Sequence, residues 1–192
     1  MTTDLDATGT MLTSISLPRL ETVGGHLSAH PAMPPLTAWH TPRLESVGKF
    51  AQFVSRDVDL TCLASVAVST LLSGTRNDPL ALPALTTTPT LQLVTETPTA
   101  RLPALHGGLL EVSSAQLVTL DAASPETLQI QSAPTLTTIT LADASFVDIA
   151  NVGLSTLDSL ATRRTSRSSR SPARRPCTTS PAPRGRRSPA SA

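Results

Sequence analysis

Leu12-Thr-Ser-Ile-Ser-Leu-Pro-Arg-Leu-Glu-Thr-Val-Gly-Gly-His-Leu-Ser28 and Leu36-Thr-Ala-Trp-His-Thr-Pro-Arg-Leu-Glu-Ser-Val-Gly48 are one unit written twice. Residues 12–35 and 36–59 align without a gap at an offset of 24, with eight identities. These are Leu12/Leu36, Thr13/Thr37, Pro18/Pro42, Arg19/Arg43, Leu20/Leu44, Glu21/Glu45, Val23/Val47 and Gly24/Gly48. A period in this range is the signature of a repeat architecture, in which each unit buries its apolar face only against its neighbours. A third unit opens at Leu60-Thr61 and is degenerate. Leu82-Pro-Ala-Leu85 returns as Leu102-Pro-Ala-Leu105. Leu117-Val-Thr-Leu120, Leu136-Thr-Thr-Ile139 and Leu154-Ser-Thr-Leu157 follow at spacings of 19 and 18. The body reads as about seven turns of 18–24 residues.

Within a turn the apolar residues alternate over only three to five positions, as at Ile15/Leu17, Leu128/Ile130 and Val147/Ile149. Period two over so short a span indicates short strands. Pro18, Pro42, Pro83 and Pro103, with Gly24-Gly25 and Gly107-Gly108, interrupt any helix. The expected fold is all-β: a parallel β-solenoid over residues 12–162, with residues 1–11 as an incomplete N-terminal edge and 163–192 as a disordered tail. Parallel strands lie about 4.8 Å apart, so seven coils predict a rod roughly 34 Å long. Residues 60–80, poorest in leucine pattern, are expected to form the loosest coil.

The order of a Leu-x-x-Ile/Leu-x-Leu strand, a Pro-x-Leu turn, a Val-Gly-Gly step and a second short strand resembles the unit of receptor L-domains. Similar units occur in leucine-rich surface proteins of bacteria and fungi. The resemblance spans about residues 5–160 and is densest over 12–48. It implies a right-handed solenoid that recognises or scaffolds a protein or glycan ligand and performs no catalysis. It also implies export to a cell surface. The start, Met-Thr-Thr-Asp-Leu-Asp, lacks the basic and apolar segments of a secretory signal. The expectation is therefore either a cytoplasmic chain or a fragment of a longer one.

Composition narrows the function further. Only Trp39, Phe50, Phe53 and Phe146 are aromatic, and Tyr is absent. A nucleic-acid reader built on stacked rings is excluded, because it needs exposed aromatics. An aromatic-centred core is not expected either. No apolar run approaches the length that a membrane-spanning helix needs. Cys62 reads as a buried thiol, and Cys177 lies in the tail, so no disulfide framework is indicated.

The net charge of +1 conceals a division. Residues 1–162 hold six basic and fourteen acidic residues, whereas 163–192 hold nine Arg and no acid. The tail also has seven Ser and five Pro, and no Leu, Ile, Val or aromatic residue. Such a segment cannot bury enough apolar surface to order itself. Its Ser-Arg-Ser-Ser-Arg-Ser-Pro run resembles Arg/Ser-rich segments that bind RNA, and polyanions are its natural partners. The change occurs within a few residues of Leu160, with leucines still in register. A frameshift in a GC-rich gene produces such a change, and on that reading the tail has no function.

Candidate chemistry is sparse. His26 and His30 are four apart in a non-helical segment, about 13 Å if extended, too far to share a metal. His40 and His106 are single. Asp57, Asp59 and Asp78 lack the Asp-x-Asp-x-Asp-Gly spacing of a calcium loop. Glu21 and Glu45, with Arg19 and Arg43, fall at equivalent repeat positions. They read as solvated charge compensation, with the clustered carboxylates of a polysaccharide-active β-helix enzyme as the rival. No Gly-x-Ser-x-Gly, phosphate-loop or dinucleotide motif is present. No catalytic set, metal or cofactor is therefore expected. The two rivals to a recognition module are a nucleic-acid-binding protein acting through the Arg tail and the β-helix enzyme.

Overall fold

The structure, a computed structural model, describes residues 3–7, 12–29 and 36–154. The expectations for His30, Cys177, residues 155–162 and the tail lie outside these.

Every ladder is parallel, and the described chain contains no helix. The longest sheet is built from β1 (Leu5–Asp6), β4 (Leu27–Ala29), the first half of β7 (Phe50–Asp59), β9 (Ser69–Ser73), β11 (Thr90–Val94), β13 (Leu109–Ser113), β15 (Thr127–Ser132) and β17 (Phe146–Ile149). A second side starts with β2 (Ser14–Ser16), β5 (Leu36–His40) and the second half of β7. It resumes with β10 (Leu80–Ala81), β12 (Thr99–His106), β14 (Thr119–Ser124) and β16 (Thr138–Leu141). The third side has the two-residue strands β3 (Thr22–Val23), β6 (Ser46–Val47) and β8 (Ser65–Val66). The chain is a parallel β-solenoid of about seven turns, as the repeat requires. β1 pairs with β4 and adds a rung before residue 12.

Register explains the sequence period. Leu5, Leu27, Ala51, Thr70, Leu91, Leu110, Leu128 and Val147 are successive partners in one inward row. Each step along this row matches the spacing of the sequence repeat, so one coil is one unit. Two residues on, Phe53, Leu72, Leu93, Val112, Ile130 and Ile149 form a second inward row. The residues between them point to solvent, because successive side chains of a strand alternate faces.

The Pro-x-Leu element is a tight turn. The Leu20, Leu44, Leu85 and Leu136 amides donate to the carbonyls of Leu17, Thr41, Leu82 and Ala133, with Pro18, Pro42, Pro83 and Pro134 second in each turn. Proline presets φ at that position, and its missing N–H is not needed there. The leucine closing each turn enters the core; Leu44 and Leu85 have no exposed surface.

Corners repeat as faithfully. The Glu21 carbonyl accepts from the Glu45 and Ser46 amides, that of Glu45 from Ala64 and Ser65, and that of Ala64 from Thr86 and Thr87. Glycine is needed where coils touch backbone to backbone. A Cβ on Gly48 would lie 2.3 Å from the Gly24 carbonyl oxygen.

Two expectations change. Residues 60–73 are not loose: Leu60, Leu63, Val66 and Leu72 are buried and continue the inward rows. The apolar pattern survives there, although the Arg of the turn is replaced by Cys62 and the glycine equivalent to Gly24 and Gly48 by Ala67. Irregularity is confined to 74–79, between β9 and β10. The core is also aromatic at one place. Trp39 and Phe53 are fully buried and meet edge to face, 5.3 Å between centroids. They fill the early part of the rod, where the step from Leu27 to Ala51 is the longest in the inward row. Among the described residues, later coils bury no aromatic ring and close on aliphatic side chains with a few hydroxyls.

Leu128→Ala empties a position inside the long sheet and should destabilise the protein by about 2–5 kcal/mol. Gln129→Ala, on the outer face, should change stability by less than about 0.5 kcal/mol. Equilibrium urea denaturation of the two variants measures the contrast. Gly48→Ala should also be destabilising, since the rigid Gly24 backbone cannot retreat without opening the coil stack.

Candidate functional site

Glu21 and Glu45 stack on consecutive coils, at an exposed corner just before β3 and β6. Arg19 and Arg43 are exposed one turn earlier. The clefts at the solenoid surface are lined by other residues. The four side chains are exposed and are not among the residues lining these clefts.

The other candidates are held by local bonds. His26 donates its backbone N–H to Asp4 Oδ1 at 2.7 Å, fastening β1 to the first coil. His40 Nε2 lies 3.8 Å from Asp57 Oδ2, both half exposed. Asp59 Oδ1 accepts from the Thr61 hydroxyl at 2.6 Å, in its own turn. Asp78 and His106 are exposed. Among the described residues no group of three or more His, Cys, Asp or Glu is placed to hold a metal ion. Cys62 is buried. No helix of the described residues is long and apolar enough to cross a membrane.

Asn77 is a residue whose role has no sequence signal. In the irregular segment 74–79 the strand of the second side is missing, and the Asn77 side chain stands in for it. Its Oδ1 accepts the Val58 N–H at 2.9 Å, while Nδ2 donates to the Val58 carbonyl at 3.2 Å and to Asp57 Oδ1 at 2.7 Å. A side-chain amide carries the same donor and acceptor pair as a peptide, so it extends to Val58 the edge pairing that the Arg76 N–H begins at the Arg56 carbonyl. Thr97 Oγ1 donates in turn to the Asn77 carbonyl. The pattern continues the ladder across the gap.

The sheet with the most strands among the described residues, the long sheet, also presents an outer face. Its central outward row runs Asp6, Ser28, Gln52, Leu71, Gln92, Glu111, Gln129 and Asp148. Gln92 Nε2 donates to Glu111 Oε2 at 2.5 Å. The flanking rows mix hydroxyls with apolar side chains: Phe50, Ser69, Thr90, Leu109, Thr127 and Phe146 on one side, Val54, Ser73, Val94, Ser113 and Ser132 on the other. Exposed Val94 and Phe146 interrupt this polar surface. A shallow depression lies across Gln92, Glu111, Ser113 and Gln131.

A second cleft, of about 260 Å³, crosses the third side between Thr22, Ser46, Ser65 and Thr87, with Gly24, Gly48 and Ala67 beside it. A third, of about 300 Å³, lies at the corner joining the second side to the long sheet. It is lined by Gly107, Ser124, Pro125, Glu126, Asp143, Ala144 and Ser145, which come from three consecutive coils. These surfaces are features of three-dimensional stacking; only the repeat register, combined with strand alternation, points to them from sequence. Comparison with protein-family models, curated proteins and solved structures finds no match to this chain.

Removing the Asn77 side chain leaves the Val58 N–H without its acceptor. Asn77→Ala should cost about 1–3 kcal/mol and accelerate hydrogen exchange at the Val58 amide, read by NMR, while Leu110 and Leu128 keep their protection.

Proposed function

We propose that this chain is a non-enzymatic recognition or scaffold module of a cell-surface repeat protein, and that the outer face of its long sheet is the contact surface. One observation carries the reading: amide, carboxylate and hydroxyl groups recur on one open face, coil after coil, in rows held by the backbone ladder. Rows of donors and acceptors at the strand spacing of about 4.8 Å suit an extended, repetitive or flat ligand rather than a small molecule. Small-molecule sites are concave and enclose most of the ligand surface; this face is open. The ligand class is a polar protein surface or a glycan. Carboxylates stand in the row at Glu111 and Asp148, which disfavours a strongly anionic ligand.

The enzymatic alternative requires a carboxylate pair that flanks a substrate in a cleft. Glu21 and Glu45 sit instead at an exposed corner and line none of the clefts described above. A screen of immobilised glycans and surface proteins should find binding by the full chain without turnover of the bound glycan. Gln92→Ala/Gln129→Ala should weaken that binding by about tenfold, the effect of losing one or two polar contacts, and leave the circular dichroism spectrum unchanged. Turnover of a polyuronate that disappears in Glu21→Ala/Glu45→Ala would overturn this reading in favour of the enzyme.

A further inference from the structure

Charge is not spread evenly along the solenoid. Residues 12–101 are balanced, with Arg19, Arg43, Lys49, Arg56, Arg76 and Arg101 against Glu21, Glu45, Asp57, Asp59, Asp78 and Glu96. Part of that balance is local, as in Arg76 Nε to Glu96 Oε2 at 2.5 Å. Residues 102–154 contain Glu111, Asp121, Glu126, Asp143 and Asp148 and no Lys or Arg. Asp121 is opposite Arg101 in the β12–β14 register. Glu111 and Asp148 stand on the outer row of the long sheet, and Glu126 and Asp143 line the 300 Å³ corner cleft beside it. The last coils thus present a one-sign surface on two adjoining walls.

The same end carries half-buried apolar residues, Val147, Ile149, Val152 and Leu154, and the exposed ring of Phe146. The chain leaves the described structure at Leu154. The nine Arg begin at Arg163, only nine residues later, and extend to Arg187. At about 3.3–3.6 Å per residue the linker spans up to roughly 30 Å, so the first Arg residues reach the cleft without strain. Tethering at this length gives an effective concentration of about millimolar, enough to populate contacts that are individually weak.

We propose that the Arg-rich segment 163–187 docks on the acidic end of its own solenoid, with guanidinium groups entering the cleft between Glu126 and Asp143. Arg suits such a site because its planar fork pairs two-pronged with carboxylates and stacks on an exposed ring such as Phe146. Docking gives the tail a partner inside the chain. It sets a competition: an external polyanion gains the segment only by displacing it from the solenoid.

The chain supplies its own probe position. Cys62 is 4% exposed, so a nitroxide reagent modifies Cys177 alone in the native full-length protein. Paramagnetic broadening of amide signals should then concentrate at Ser124–Thr127 and Asp143–Asp148 in low salt and spare β2 to β6. In 1 M salt, where the screening length is about 3 Å, it should fall at least about twofold. Glu126→Gln/Asp143→Asn in the full chain should abolish the local broadening with an unchanged circular dichroism spectrum. Broadening that is uniform over the solenoid, that ignores salt or that persists in this variant overturns the proposal. Equal broadening when label and isotope are on separate chains also overturns it, assigning the contact to a second copy.

Discussion

Each coil of this protein depends on its neighbours for its hydrogen bonds. The strands are two to ten residues long, and none pairs with a strand of its own coil. The N–H and C=O groups of β13, for example, are satisfied by β11 on one side and β15 on the other. A buried backbone group without a partner costs as much as a lost hydrogen bond or more, so the stacking register has little freedom. A slip of one residue between coils would turn every inward leucine to solvent and every outward glutamine to the core. From this one constraint follow the fixed rows on each face, the repeated geometry of each corner and the tolerance for coils of unequal length. Extra residues are accommodated at corners and by register shifts near the ends of the β12–β14 and β13–β15 ladders.

Packing within that frame is graded along the axis. The wide early coils are filled by Trp39 and Phe53, with the indole N–H bonded to the buried Thr41 hydroxyl at 3.1 Å. Later coils pack Leu, Ile and Val rows and admit hydroxyls. Ser114 Oγ donates to the Thr95 carbonyl at 2.7 Å, as Ser55 Oγ in the early part of the rod does to the Asp57 carbonyl at 2.9 Å. Small hydroxyl residues turn inward at these corners because their side chains bond the adjacent backbone where the chain leaves a strand. Thr75 and Thr95 belong to the same inward corner positions, yet their Oγ1 atoms are buried without a partner. Thr75 lies in the irregular segment and Thr95 in the coil after it, where the Asn77 side chain supplements the backbone bond from the Arg76 N–H to the Arg56 carbonyl.

The repeat is readable because it lives in the turn residues. Pro, Leu and Gly at fixed offsets report local geometry, and local geometry is what sequence patterns encode. The coil boundaries, the parallel stacking and the inward leucines follow from 12–59 alone. The apparent degeneracy of 60–73 has the opposite cause. There the turn residues drift while the inward apolar set stays, and packing is the stronger determinant. Asn77 carries no such signal, since a side-chain amide replacing a strand requires knowing that Val58 faces it from the preceding coil. The clefts are hidden for the same reason. Glu126 and Asp143 are separated in sequence, and only the coil step brings both to one wall. The Glu21/Glu45 pairing is legible as stacking, but whether a corner is concave or convex has no signature in residue identity.

Parallel stacking also bears on how such a molecule changes over generations. The surface one coil offers to the next resembles the surface it receives, as Gly48 over Gly24 and Ser46 over Thr22 illustrate. A unit duplicated in the gene finds a ready partner above and below, and the ends of the rod move apart without any internal contact being redesigned. The gapless pair 12–35 and 36–59 has the form such an event leaves behind. Proteins of this build vary in length by whole coils more readily than by single residues, and reach is then a heritable quantity adjusted in steps of one strand spacing.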